Sequence, residues 1–528
     1  MRVLMLGWEF PPHISGGLGT ACLGLARGLA HDGVAVRFVV PRAWGDEDAR
    51  HAEVIGADTV PLPRATPSDR QAGRSGNPPG QAGGSGFSTA AEPADTERAE
   101  VLALERLVAE VPLSSRDAEL LRRMARRVEL LAVDSALRPY LTPQGYAERL
   151  AALGSASSPA APASSGAGTR GGDPEIGAGT ASLPSGGSAI GDVLGRSATG
   201  ESANRPEPDP EPPSPTALRF EGGYGPSLID EVGRYARVVA ELARGQDFDL
   251  VHAHDWMTYP AGMLAAAVSG RPLVAHVHAT EHDRSGDNPN PQVHEIERLG
   301  MLAADRVICV SHFVAATVRE RYGVPADRIR VLHNAVTLAE ESEAFHAVKL
   351  DDVPIVLFLG RVTYQKGPDY FLEAARRVVA IEPRVNFVIS GTGDLLPGVI
   401  ERAAAMGLAR HVHFTGFLRG RDVERMYALA DVYVMPSVSE PFGISPLEAM
   451  ALDVPVIVSR QSGVSEVIQS ALKFDFWDVD DLANKILAVL RRPAMREQLA
   501  TEGGEEARRM RWDIRGRRLH EIYRELRS

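Results

Sequence analysis

From Val3 to Ser459, short unbroken apolar runs alternate with longer stretches of helical periodicity, and that alternation limits what the chain can fold into. A run with no polar face suits a strand covered on both sides, as in a parallel sheet, and each parallel pair needs a crossover segment, usually a helix. The first series holds Val3 to Leu6, a helical pattern over Leu18–Ala30, and VAVRFVV at Val34–Val40. It resumes near Tyr224 with the helical DEVGRYARVVAELA and then FDLVHAHDW, RPLVAHVHA and ADRVICVS. The second starts at Val353 and holds VPIVLFLG, RVNFVISG, HVHFTG, ADVYVMPS and VPVIVS. Two such series, parted at a seam over Thr337–Asp352, predict an α/β protein of two doubly wound, Rossmann-like domains. The cleft between the domains is the expected binding site.

One region breaks the rhythm. Of the 60 residues from Ala151 to Pro210, 41 are Ala, Gly, Pro or Ser, and Arg64–Asp95 is similarly poor in large apolar side chains. Neither buries enough surface to offset its ordering entropy, so disorder is expected, most plainly over 154–218. Between them, Thr96–Leu153 is rich in Glu, Leu, Arg and Ala and reads as helical, with no function attached. Together they form an insertion over about 64–220 in the first domain.

At 528 residues the chain is too long for one core. A formal charge of −12 argues against a nucleic-acid partner, and there is no apolar run of membrane-spanning length. The glycine-rich turn soon after Met1–Leu6 argues against a signal peptide. Two cysteines, Cys22 and Cys309, both in apolar segments, suggest a reduced, cytoplasmic protein.

Three loops carry candidate chemistry. ISGGLGT does not fit the dinucleotide fingerprint: Gly17, Gly19 and Cys22 give G-x-G-x-x-C, and eight residues separate the strand from the first glycine. Small residues opening a helix still let backbone N–H groups approach an anion, or form an ordinary strand-to-helix turn. In GRVTYQKG, Arg361 and Lys366 follow a strand end, where two cations five residues apart could grip a diphosphate or merely face solvent. In SEPFGISPLEAM, Ser445, Pro446 and Glu448 read as a helix start with a capping box, a structural role sufficient for Glu448. Glu440, before Pro441 in a turn, has no comparable structural duty.

SEPFGISPLEAM resembles the E-x7-E signature of the retaining glycosyltransferases of family 4, with Glu440 and Glu448 as its glutamates. GWEFPPHISGGLG, VHAHDW, HVHATEHD, VSHF, HNAV, GRVTYQKG, GTG and HFTGF stand in the order that family uses, and the resemblance covers everything outside Arg64 to about Phe220. VHAHDW and the GGLG loop are most similar to the glycogen and starch synthase branch. The resemblance implies a GT-B fold, with an acceptor-side domain over 1–343, a nucleotide-sugar-binding domain over 344–510, and a helix over 511–528 crossing back to the first domain. It also implies a nucleoside-diphosphate sugar as donor, ADP- or UDP-glucose, a glucan or other glycan as acceptor, and no cofactor or metal. Arg361 and Lys366 would hold and stabilise the diphosphate, approached from the other domain by Gly16 and Gly17. Glu448 would hold the ribose, and Glu440, helped by the N–H groups of Phe442, Gly443 and Ile444, a sugar hydroxyl. His278 would lie beside the donor sugar near its 6-hydroxyl.

Two departures stand out: Ile14 occupies a position where that branch carries Lys, and the insertion replaces a region where specificity could be built. Competing classes fit less well. A metallohydrolase built on His276, His278, His282 and Asp283 would need Asp and His where Thr280 and Glu281 stand, and Asp247-Phe248-Asp249, formally D-x-D, opens a strand. The intact Arg361, Lys366, Glu440 and Glu448 set argues against a nonenzymatic scaffold.

Overall fold

The computed structural model describes residues 1–13, 16–60, 220, 228–337 and 352–527, all within one compact unit. The insertion, with its expected helices over 96–153 and disorder over 154–218, lies outside the described residues apart from Phe220, as does Ile14.

The first sheet is entirely parallel, in the order β3-β2-β1-β4-β5-β6-β7. Its strands are β1 (Arg2–Leu6), β2 (Ala35–Val40), β3 (Glu53–Gly56), β4 (Leu250–His254), β5 (Leu273–Val277), β6 (Arg306–Cys309) and β7 (Ile329–Val331). The helices among them are α1 (Gly17–His31), α2 (Leu228–Gly245), α3 (Tyr259–Ser269), α4 (Glu281–Ser285), α5 (Pro291–Ala303) and α6 (His312–Tyr322). Both faces of β1 are covered. Leu4 and Leu6 join a buried cluster with α2 and α3 residues, whereas Val3 and Met5 join another with α1. That two-sided burial is why the strand lacks a polar face.

The second sheet, β10-β9-β8-β11-β12-β13, is also parallel. It comprises β8 (Ile355–Leu359), β9 (Asn386–Ser390), β10 (Val412–Gly416), β11 (Val432–Met435), β12 (Val456–Ser459) and β13 (Leu472–Phe474). Around it lie α7 (Pro368–Val379), α8 (Leu396–Ala405), α9 (Arg421–Leu429), α10 (Ser445–Ala451), α11 (Val479–Arg491) and α12 (Pro493–Arg509). One apolar cluster runs from β4 and β5 of the first sheet to Met435, Phe442 and Val464 of the second region, so the two halves share a core.

Three strands are missing from the sequence expectations, β3, β7 and β13, with three or four residues each. Each pairs on one side only, at or next to a sheet edge, and so carries too little apolar periodicity to be read alone.

The last helix, α13 (Trp512–Glu525), packs on α1. Val336 N–H donates to Met510 O at 3.0 Å where the chain returns. The helices meet through glycines: a Cβ on Gly28 would stand 2.1 Å from Trp512 O, and one on Gly24 2.2 Å from the Trp512 ring. Among the described residues no helix is long and apolar enough to cross a membrane. Asp249 accepts Arg2 N–H at 2.7 Å and Asp247 pairs with the Arg2 side chain, so the D-x-D segment ties down the N-terminal end of β1, opposite the strand ends that face the cleft.

Candidate active site

Strand order reverses between β1 and β4 in one sheet and between β8 and β11 in the other, and ligands of open α/β sheets lie beyond the strand ends at such points. The loops leaving β8 and β11 carry GRVTYQKG and PSVSEPFGI. Arg361 is exposed, with no side-chain partner among the described residues. Lys366 ends a 3-10 turn, Tyr364–Lys366, stopped by left-handed Gly367. A Cβ there would fall 2.1 Å from Pro436 O, so glycine is what lets the two loops touch.

Across that contact Lys366 Nζ pairs with Glu440 Oε2, to which Ser437 Oγ also donates at 3.2 Å. The Lys366 side chain is 20% exposed and that of Glu440 7%. The Glu440 backbone is clamped, its N–H donating to Gln461 O and its carbonyl accepting Gly463 N–H, both at 2.9 Å. Lys366 and Glu440, assigned separate ligand roles above, are therefore one ion pair here. Gly443 is left-handed (φ 93°), and a Cβ on it would lie 3.1 Å from Glu440 Cγ. Phe442 is buried beside His333, ring centroids 6.1 Å apart.

The capping-box expectation fails. Ile444 is the N-cap of α10 and no side chain caps the helix; Ser445 Oγ instead accepts from Tyr433 OH at 2.8 Å. Tyr433 OH also lies 3.2 Å from Leu359 O, the two acceptors sharing its one proton, which ties α10 to the end of β8; Ser445 is itself the first residue of the helix, one past the capping position. Glu448 thus does no capping. It accepts from Tyr427 OH at 3.1 Å, and burial pushes its carboxyl above the usual range despite that hydrogen bond.

From the first domain, exposed Gly16 and Gly17 open α1, and a Cβ on Gly17 would come 4.0 Å from Ile444 Cδ1, so α1 starts opposite α10. Buried Glu9 accepts Gly19 N–H at 3.2 Å. His278 follows β5. Its N–H donates to Asp255 Oδ1 at 2.7 Å, and its Nε2 lies 2.8 Å from His254 Nδ1. Burial lowers the His278 pKa to about 3, so the ring is neutral at ordinary pH. Buried Asp255 sits at φ 59°, its carboxyl raised to about 6 by burial. Arg284 braces the same loop, donating to Ala279 O at 3.2 Å and pairing with Glu297 at 3.1 Å. The domains are joined beside Glu440: Ser439 Oγ donates to Asp283 Oδ1 at 2.8 Å, and Ser311 Oγ to Pro441 O at 2.6 Å.

Among the described residues, three groups have donor atoms near enough together for a cation: Cys22, His254 and His278; His252, His254 and His276; His312, His333 and Glu466. In the first two the imidazoles already bond one another, His252 Nε2 to His276 Nδ1 at 3.2 Å and His254 to His278. His282 and Asp283 turn elsewhere, to Gly286 O and Thr280. Asp255, His254, Tyr427 and Ser437 gained no role from sequence. The signal available was H-x-H ending two strands that prove adjacent, with His254 opposite His276.

Residues 340–506 match the family described as glycosyl transferases group 1, 197–340 that described as glycosyltransferase family 4, and 2–67 the starch synthase catalytic domain. A D-inositol 3-phosphate glycosyltransferase of Saccharomonospora viridis is 30% identical over 303 residues, 53% of this chain and 70% of its own length. The chain belongs to the family 4 glycosyltransferases. An uncharacterized glycosyltransferase of Methanocaldococcus jannaschii is 33% identical over 235 residues, 42% of this chain, and the match spans 60% of that relative's length. Among solved structures, a sucrose-phosphate synthase from Thermosynechococcus elongatus superposes with a TM-score of 0.51 at 23% identity, over 57% of this glycosyltransferase and 79% of its own chain. That likeness identifies the fold as GT-B.

Proposed function

We propose that this glycosyltransferase moves glucose, with retention, from ADP- or UDP-glucose to the non-reducing end of an α-1,4-glucan. The observation that carries the donor half is the Lys366–Glu440–Ser437 cluster beyond the β8/β11 switch point, with exposed Arg361 on the Lys366 loop and the start of α1 opposite Ile444 on the Glu440 loop. Arg361 and Lys366 would take the diphosphate and stabilise the charge on its leaving oxygen. Glu440, partly released from Lys366 as phosphate arrives, would accept a hydrogen bond from a sugar hydroxyl. Neutral His278 would bond the sugar near its 6-hydroxyl without adding charge. Glu448, free of capping duty, would hold the ribose. The acceptor hydroxyl would then attack from the face the diphosphate leaves, its proton passing to the departing phosphate oxygen. In this scheme Arg361, Lys366 and helix-start N–H groups supply the positive field, and no metal takes part.

The glucan acceptor is supported by the starch synthase match over residues 2–67. A second reading, in which the acceptor is another glycoside such as a phosphorylated polyol, is favoured by the inositol 3-phosphate relatives. The deciding experiment measures nucleoside diphosphate release from a panel of sugar nucleotides, with and without glycogen or inositol 3-phosphate, in the presence of a chelator. Glycogen-dependent release from ADP- or UDP-glucose is expected. Stimulation by inositol phosphate alone would replace the acceptor, a requirement for added metal would overturn the metal-free scheme, and no release from any donor would overturn transfer itself.

A further inference from the structure

Beside the Glu440 loop the second domain carries a line of aromatic rings that the transfer scheme does not use. Tyr364 and Trp477 are among its most exposed large hydrophobic side chains, at 59% and 60%. Half-buried Tyr370 and Phe476 join them: the Tyr370 and Phe476 rings meet edge to face with centroids 5.2 Å apart, and Phe476 and Trp477 do so at 4.9 Å. Tyr364 stands two residues before Lys366 in the 3-10 turn, and Gly367, which ends that turn, lies against Tyr370: a Cβ on it would come 3.2 Å from Tyr370 Cδ2.

The line is continuous with the candidate site. Val438 N–H donates to Gln365 O at 2.9 Å, linking the Tyr364 turn to the Glu440 loop. Gln461, whose carbonyl accepts Glu440 N–H, also accepts Phe476 N–H through its side chain at 3.3 Å and donates to Asp475 at 3.0 Å. The strand end that holds Glu440 therefore also holds the Phe476–Trp477 loop.

Two exposed rings, Tyr364 and Trp477, flanking a half-buried edge-to-face pair make a contiguous aromatic surface, and the surroundings indicate for what. The flanking charges are paired: Asp369 with Arg402, Asp480 with Arg377, and Asp475 with Arg460. Away from the Arg361–Lys366 loop, these pairs leave little field of one sign with which to attract an anionic head group or a nucleic acid. The exposed large side chains here are aromatic, flat faces with polar rims, rather than the aliphatic groups a protein partner's core would use.

We propose that Tyr364, Tyr370, Phe476 and Trp477 form a platform for a neutral α-glucan chain, the rings lying against the C–H faces of successive sugars and steering the chain to the cleft. This rests on the reading above that the protein elongates a glucan. The test uses the full chain: mobility in native gels containing glycogen, and calorimetry with maltoheptaose, for wild type, Trp477→Ala and Trp477→Phe. Trp477→Ala should weaken maltoheptaose binding about tenfold, and Trp477→Phe should keep most of it. The KM for sugar nucleotide and nucleoside diphosphate release without glycan should not change. Equal binding by wild type and Trp477→Ala, or a wild type not retarded by glycogen, overturns the platform. Diphosphate release by a protein indifferent to glycogen leaves the transferase standing without the platform. Trp477-dependent retention by glycogen with no release from any donor does the reverse.

Discussion

Glu440→Gln removes one negative charge from the cleft and nearly nothing of its shape, so it isolates the consequence of the ion pair with Lys366. If Lys366 takes the diphosphate as proposed, that group would compete with the Glu440 carboxylate for the ammonium and also meet the carboxylate's repulsion. Unit charges about 5 Å apart interact by about 3 kcal/mol at an effective dielectric of 20. With the Lys366 side chain 20% exposed, solvent screens part of this. A residual of about 1–2 kcal/mol is reasonable, a gain of roughly tenfold in affinity for free nucleoside diphosphate. Turnover should move oppositely, falling at least about a hundredfold as the sugar loses its charged acceptor. Calorimetry with nucleoside diphosphate at 0.15 M and 1 M salt, together with turnover assays, separates the two effects; the affinity gain should shrink at high salt. A Glu440→Gln protein that unfolds like wild type yet binds the diphosphate no tighter would refute the competition between carboxylate and phosphate. Wild-type turnover would refute the role of Glu440 altogether.

Other consequences follow from buried contacts. His252 and His278 titrate near pH 3 when folded, against 6.5 unfolded, so the unfolded chain binds more protons between those values. Their stability is complete above pH 6.5 and is lost as pH falls; at pH 5 each should cost about 2 kcal/mol, and a urea midpoint unchanged from pH 7.5 to 5.0 would show that the rings are hydrated. Gly28→Ala would drive a methyl into Trp512 O and force α1 from α13, with about 1–3 kcal/mol lost in a thermal melt; an unchanged Tm would mean the helix pair gives way freely. Tyr427→Phe leaves buried Glu448 without its hydroxyl donor, so the KM for sugar nucleotide should shift several-fold with kcat little changed, and identical kinetics would detach Glu448 from the donor.

Much of the site was legible because its chemistry is local. A strand end, a glycine and a cation within eight residues place Arg361 and Lys366 beyond a sheet edge whatever the rest of the chain does, and the unbroken apolar runs demand two parallel sheets covered on both faces. Glu440 stood out because its turn offered it no structural task. The Ser445 capping box misled because it is a rule about isolated helix starts, and it cannot register that the helix already begins at Ser445, whose hydroxyl is turned to Tyr433 of the preceding strand β11. The same blindness hid the short edge strands, whose existence depends on a neighbour.

By itself, the sequence determined element types, their parallel pairing and the residues able to carry charge at the strand ends, since each follows from periodicity or from chemistry within one loop. Only tertiary structure decided who meets whom. It joined Lys366 to Glu440 across 74 positions, set His254 against His278, and brought Trp512 onto Gly28 from the far end of the chain. Such pairings depend on how two sheets and a returning helix close on a common core, and no window of neighbouring residues contains that information.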